Sequence, residues 1–169
     1  MAIQNILTKE MNMNTTSDTR FVGTWALKSM TKRSSEGRIS KPFSENPLGY
    51  ISYTQGGFMH AILMKAGRDR IGMPPEELSD AVSKKWLFGS LKYIKAGIKY
   101  LKAMTSFVSY CGTYEIRGNT VVHHVKAAMA PDWIGTDLKR DFVFSENTLT
   151  LTAHDDAGNV MDLIWERVS

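Results

Sequence analysis

The sequence predicts a mostly-β protein: an antiparallel up-and-down β-barrel of about eight strands, with one long helical insertion, about 75–107, after the third strand. Three observations carry that expectation. Short segments rich in Val, Ile, Thr, Phe and Tyr alternate apolar and polar residues with a period of two. Gly, Asn or Pro separates them at short, regular intervals, as antiparallel strands joined by tight turns require. The period changes once, in a lysine-rich stretch where apolar residues recur every three or four positions.

In chain order, residues 1–19 are polar and Met/Asn/Thr-rich and are read as a flexible N-terminal tail, leaving 20–169 as the barrel domain. FVGTWALKSM (21–30) places Phe21, Gly23, Trp25 and Leu27 on one face of a first strand. SSEGR (34–38) is a turn, and KPFSENPLG (41–49) is a loop broken by two prolines. GYISYTQGGFMHAILMK (49–65) reads as a hairpin turning at Gln55-Gly56-Gly57. Pro74-Pro75 followed by Glu76-Glu77 suits a helix start, because proline fits the first turn and acids complement the helix dipole. Strands resume at YCGTYEI (110–116), TVVHHVKAAM (120–129), TDLKRDFVF (136–144), TLTLTA (148–153) and NVMDLIWERV (159–168).

The 169 residues are 43% hydrophobic and 22% charged, which suits one domain with a real core and argues against wholesale disorder. The net charge of +4 is modest. Cys111 is the single cysteine, so neither an internal disulfide nor a cysteine-based zinc site is available. The start of the chain lacks a basic leader followed by a long apolar run, and no segment reaches the roughly 18 consecutive apolar residues of a membrane span. A cytoplasmic protein is the expectation. The four histidines show no metal-ligand spacing, and no phosphate-binding glycine motif occurs, so no metal and no cofactor are expected.

Several runs carry a resemblance. GTW at 23–25 on the first strand and Arg167 on the last resemble the calycin pattern. PLGYISYTQGGFM (47–59), YCGTYE (110–115), VVHHV (121–125), DWIGTDLKR (132–140) and LIWER (163–167) are similar to the small lipocalin-like domain proteins of bacteria and fungi. The ordered set spans 21–168 and is more specific for fold than for function. The resemblance implies a barrel with an apolar interior, often a small-molecule pocket, closed at one end by a contact between Trp25 and Arg167. Some lipocalin-like proteins serve natural-product pathways as isomerases or cyclases, an analogy at the level of fold. The stretch 86–104 departs from the family in being longer and richer in lysine.

Strand alternation assigns the faces. With Lys126 in water, Val122, His124 and Ala128 face out, while Val121, His123, Val125, Ala127 and Met129 face in. The two adjacent histidines therefore stand on opposite walls. On the next strand Leu138, Arg140, Phe142 and Phe144 face in, and an inward arginine needs a partner or a ligand. Arg140 would orient a carbonyl or carboxylate, His123 would move a proton, and Tyr114 would add a hydrogen bond. Tyr53, His60, Tyr110, Phe142, Met129 and Trp133 are the expected ligand-binding residues. That set suits cofactor-free isomerisation or cyclisation of an apolar, carbonyl-bearing substrate. The alternatives are a carrier with the same pocket and no chemistry, or a satisfied core histidine with no role beyond packing.

The helix adds a further reading. Trp86, Leu87, Leu91, Tyr93, Ile94, Ile98, Tyr100, Leu101 and Met104 share one half of its circumference, and six lysines between 84 and 102 occupy the other. Packing of the apolar half on the barrel is the plain expectation. Contact with a membrane surface through 84–102 is the alternative, since interfacial helices show the same division. Nucleic acid is not expected, because the charge is small and the aromatics fall on the buried-looking side. Self-association is left open.

Overall fold

The computed structural model describes residues 18–84 and 90–168. The tail expected at 1–19 falls almost wholly outside them, as do Lys85, Trp86, Leu87 and Gly89. Among the described residues, nine strands form one antiparallel sheet: β1 (Gly23–Arg33), β2 (Ile39–Ser40), β3 (Leu48–Tyr53), β4 (Phe58–Met64), β5 (Phe107–Arg117), β6 (Thr120–Ala128), β7 (Asp137–Ser145), β8 (Thr148–His154) and β9 (Val160–Arg167). Each strand from β3 to β9 pairs with the next in sequence, and β1 pairs with both β3 and β9, which closes the barrel. The two-residue β2 lies outside that ring, on the end of β1.

The β3–β4 hairpin turns at the predicted glycines, with the Gly57 N–H donating to Thr54 O at 3.1 Å and a left-handed φ of 79° at Gly57. Alternation along each strand then sets the walls. On β4, Met59, Ala61 and Leu63 are buried and the residues between them are exposed or partly exposed. On β8, Leu149 and Leu151 are buried.

Two bulges break the alternation. On β1 the register against β9 slips between Leu27 and Ser29. Leu27 and Met30 are consequently both buried, and Ser29 stands opposite the outward-facing Ile164. On β5 and β6 the slip falls between Cys111 and Gly112, which pair with Ala127 and Val125 and leave Lys126 as the extra residue. Gly112 is needed there, because a Cβ would lie 1.9 Å from the His124 carbonyl oxygen. Beyond this bulge every side chain of β6 changes wall. Ala127 faces out, and Ala128 packs against the core instead.

The helical insertion also differs from expectation. It forms two helices, α1 (Pro75–Ser83) and α2 (Leu91–Thr105), rather than one over 75–107. Lys84 leaves α1 at φ −85° and ψ 4°, and Ser90 enters α2 from extended backbone at φ −139° and ψ 121°. The helices meet through Lys92 and Glu77, 2.7 Å apart, and Tyr100 Oη ties α2 to the segment before α1 by donating to Met73 O at 2.7 Å. The apolar half of α2 does not pack on the barrel. Leu91, Ile94, Ile98, Leu101 and Met104 are exposed, and Ala96 is the buried residue of the helix.

Candidate functional site

The interior has two halves. At the end where β1 begins and β9 finishes, aromatic rings fill the barrel. Phe21 is fully buried, with ring centroids 5.0 Å from Tyr53, 4.8 Å from Phe142 and 5.0 Å from Phe144. Beside it, the Trp25 indole N–H donates to Phe21 O at 2.9 Å, and the Arg167 guanidinium stacks 4.1 Å from the centroid of the Trp25 ring. Arg167 also donates to the carbonyls of Val22, at 2.9 Å, and of Arg20. One side chain thus ties the approach to β1 onto β9.

At the opposite end the barrel is hollow. A cavity of about 550 Å³ runs inward from a mouth that includes Lys32, Phe43, His154 and Asn159. Its deeper wall is apolar, with Ile51, Leu151, Leu163 and Trp165. Tyr110 and Arg140 add polar side chains to that lining.

Between plug and cavity lies His123, the one buried residue of the charged and polar types among the described residues, with no exposed surface. Tyr53 Oη stands 2.9 Å from its Nε2, and Tyr110 Oη 3.0 Å from its Nδ1. Burial, and then the Arg140 charge, lower the His123 pKa from 6.5 to about 3, so the ring is neutral at physiological pH. Burial likewise pushes the Tyr53 and Tyr110 hydroxyls above their usual range. A neutral imidazole has one donor and one acceptor nitrogen. In either tautomer, one tyrosine therefore donates to the ring and the other accepts from it. The three residues satisfy one another across β3, β5 and β6.

Arg140 reaches the same region from β7. Register sets it opposite Val121, while Leu138 stands opposite His123, so Arg140 and His123 are diagonal rather than direct neighbours. The guanidinium donates to Lys139 O at 2.7 Å and pairs with no carboxylate among the described residues. Its charge is felt at His123, Tyr53 and Tyr110.

The remaining expected residues are distributed unevenly. Trp133, in the short 3₁₀ turn Pro131–Trp133, lines the cavity and meets Tyr110 edge-on at 5.8 Å. Tyr114 faces inward but donates to Thr54 O at 3.1 Å and packs in the plug against Tyr53. Phe142 also belongs to the plug. Met129 follows the β6 bulge, holds Ser109 O through its backbone N–H at 2.8 Å, and does not line the cavity. His60 is exposed on the outer wall, since it pairs with Ser52 one position off the inward Tyr53. A strict two-residue period places it there; the expectation of an inward His60 counted its face wrongly.

Sequence reasoning missed two features. His154, at the end of β8, borders the cavity mouth and approaches Asp141 at 3.3 Å. Phe43, between two loop prolines, turns into the core and forms part of the cavity wall. An isolated aromatic within KPFSENP was the available signal. On the outer wall His124 sits between Asp137, 2.6 Å from Nδ1, and Glu115, 3.2 Å from Nε2. The histidine holds the Asp137 carboxyl below its usual range.

A closed antiparallel barrel with an internal apolar cavity defines the class of protein. Within that class, the family model described as a lipocalin-like domain matches residues 22–168, and the chain belongs to that family. Solved structures similar to it include a lipocalin-like protein from Bacteroides uniformis, with 9% identity and a TM-score of 0.43 over 88% of this chain and 98% of that one. Another is a mutant of the fluorescent protein UnaG, with 14% identity and a TM-score of 0.37 over 89% of this chain and 97% of that one. A redesigned β-barrel gives 8% identity and a TM-score of 0.40 over 88% and 92% of the two chains. No curated protein matches.

Proposed function

We propose that this protein binds an apolar small molecule carrying a carbonyl or carboxylate group, and holds it in the barrel without transforming it. The observation behind this reading is Arg140, which pairs with no carboxylate among the described residues, in the wall of a mainly apolar cavity. A cavity of about 550 Å³ falls within the range that encloses a drug-sized ligand. A partly covered cation that faces an apolar cavity without a carboxylate partner favours a ligand that brings an oxygen acceptor. Tyr110 extends the polar patch. With the proton on His123 Nδ1, Tyr53 donates to Nε2 and Nδ1 donates to Tyr110, which leaves the Tyr110 O–H free for the same acceptor.

The binding reading is better supported than isomerisation or cyclisation. A general base needs a free nitrogen within reach of the substrate and a pKa near the working pH. His123 has both nitrogens occupied, does not line the cavity, and has a pKa lowered to about 3. Its role in this reading is to fix Tyr110.

The test is displacement of the fluorescent probe 1-anilinonaphthalene-8-sulfonate by a series of long-chain carboxylic acids and their methyl esters. Binding of the acids, with Arg140→Met weakening them at least tenfold more than the esters, is expected. Equal loss for acid and ester would remove the arginine from recognition. Turnover of a bound compound that stops in Tyr110→Phe would move the reading to catalysis.

A further inference from the structure

Helix α2 presents to solvent what a core-packed helix would bury. Its inner side is narrow, with Ala96 buried and Tyr93, Gly97 and Tyr100 partly covered. At about 100° per residue, Leu91, Ile94, Ile98 and Leu101 make a stripe on another side. Leu91 is 65% exposed, Ile98 52% and Leu101 62%. Lys92, Lys95, Lys99 and Lys102 form the adjoining row, and LKYIKAGIKYLKAMT contains no acid.

Charge next to this helix has the same sign. A cleft of about 390 Å³ beside α2 is lined by Lys65, Arg68, Lys99 and Lys102, with Asp69 the acid among its lining residues. Arg68 and Lys99 donate to backbone carbonyls, of Ala103 at 3.0 Å and of Arg70 at 3.1 Å, rather than to carboxylates. Pro42 and Thr105 line both this cleft and the cavity. The basic surface therefore adjoins the cavity mouth.

We propose that α2 is an interfacial helix that docks the barrel on an anionic phospholipid bilayer. Leu91, Ile94, Ile98 and Leu101 enter the boundary between headgroups and acyl chains, and the lysine row and basic cleft meet the anionic headgroups. Among the described residues no helix is long and apolar enough to cross a membrane, so the contact lies in the plane of the interface. A second copy of the chain fits less well, since a two-fold contact through the stripe would bring two lysine rows together. Nucleic acid would leave the apolar stripe in water. The docking stands independently of what the cavity holds.

The experiment is co-sedimentation of the full chain with phosphatidylcholine vesicles, with and without phosphatidylserine, at about 0.1 M and about 0.5 M salt. Two double variants accompany it, Lys95→Gln with Lys102→Gln and Ile98→Gln with Leu101→Gln. These positions are exposed, and unchanged thermal unfolding and unchanged cavity-probe binding would show that the barrel is intact. Binding is expected to the phosphatidylserine vesicles at low salt, weakened roughly fivefold per lysine removed, and lost in the apolar variant. No co-sedimentation at low salt, equal binding to both vesicle types, or an apolar variant that binds like the parent would overturn the proposal. A dimer that dissociates in the apolar variant, with no vesicle binding, would assign the stripe to self-association and overturn it as well.

Discussion

At one end of the barrel Phe21 is buried against three aromatic rings, while at the other Lys32, His154 and Asn159 stand around the entrance to about 550 Å³ of space. The same eight ring strands supply both ends, so the difference comes from side-chain choice and from the bulges. At the plug, large rings meet edge-on and the Trp25–Arg167 contact fastens the last strand to the first. At the mouth, loops replace rings and nothing of comparable size fills the centre. The division teaches that closure of this fold is concentrated at one end, which leaves the other free to hold a ligand. The Tyr53–His123–Tyr110 network is the floor between them.

Substitutions at the two ends should separate stability from binding. Phe21→Ala is expected to have the largest effect, destabilising by roughly 3–5 kcal/mol through lost burial and a cavity that the rigid plug cannot collapse. Urea unfolding measures it, and a loss below about 1 kcal/mol would break the distinction between plug and mouth.

Next comes acid sensitivity from the floor. The folded His123 pKa of about 3 lies below its ordinary 6.5, so the unfolded chain binds the extra proton. Stability should be full above pH 6.5 and fall as pH drops toward 3, with a slope approaching about 1.4 kcal/mol per pH unit from this group. Unfolding midpoints of the parent and His123→Gln, compared over that window, isolate the contribution; equal slopes would show that the ring is not held neutral.

Arg167→Met should cost roughly 1–3 kcal/mol, from lost stacking on Trp25 and two lost backbone hydrogen bonds. Ligand affinity should be unchanged, because the contact lies beyond the floor. Arg140→Met is the converse case and the smallest in stability, within about 1 kcal/mol, yet it should weaken acid binding at least tenfold. A large stability loss there would mean that Arg140 holds the fold together.

The barrel was legible because alternation and turn residues are local signals. The hairpin at Gly56-Gly57, the opposite walls of His123 and His124, and the inward Arg140 follow from a two-residue period and little else. Errors began where the period slips. Lys126 is the extra residue of a bulge, and its choice as a reference put Ala127 and Met129 inside although the strand changes wall between Val125 and Ala127. Nothing in YCGTYE marks that slip except Gly112, whose reason is the His124 carbonyl of a neighbouring strand. The Tyr–His–Tyr network was legible only as three inward residues, because strand order, not spacing, brings Tyr53 within 2.9 Å of His123. Helix amphipathicity was read correctly as a pattern and wrongly as burial: an apolar face shows that a helix wants a partner, not that the barrel supplies one.

One contact has a practical side. Trp133 meets Tyr110 edge-on in the cavity wall, whereas Trp25 lies under Arg167 at the far end. Of the four tryptophans, Trp133 and Trp165 line the cavity and Trp25 lies outside it, so cavity and plug carry indoles in separate optical environments. Intrinsic emission from Trp133 should respond when the cavity fills, and emission from Trp25 only when the barrel opens. With Trp133→Phe and Trp165→Phe as the controls for the two cavity-lining indoles, a fluorescence titration would distinguish occupancy from unfolding without any label.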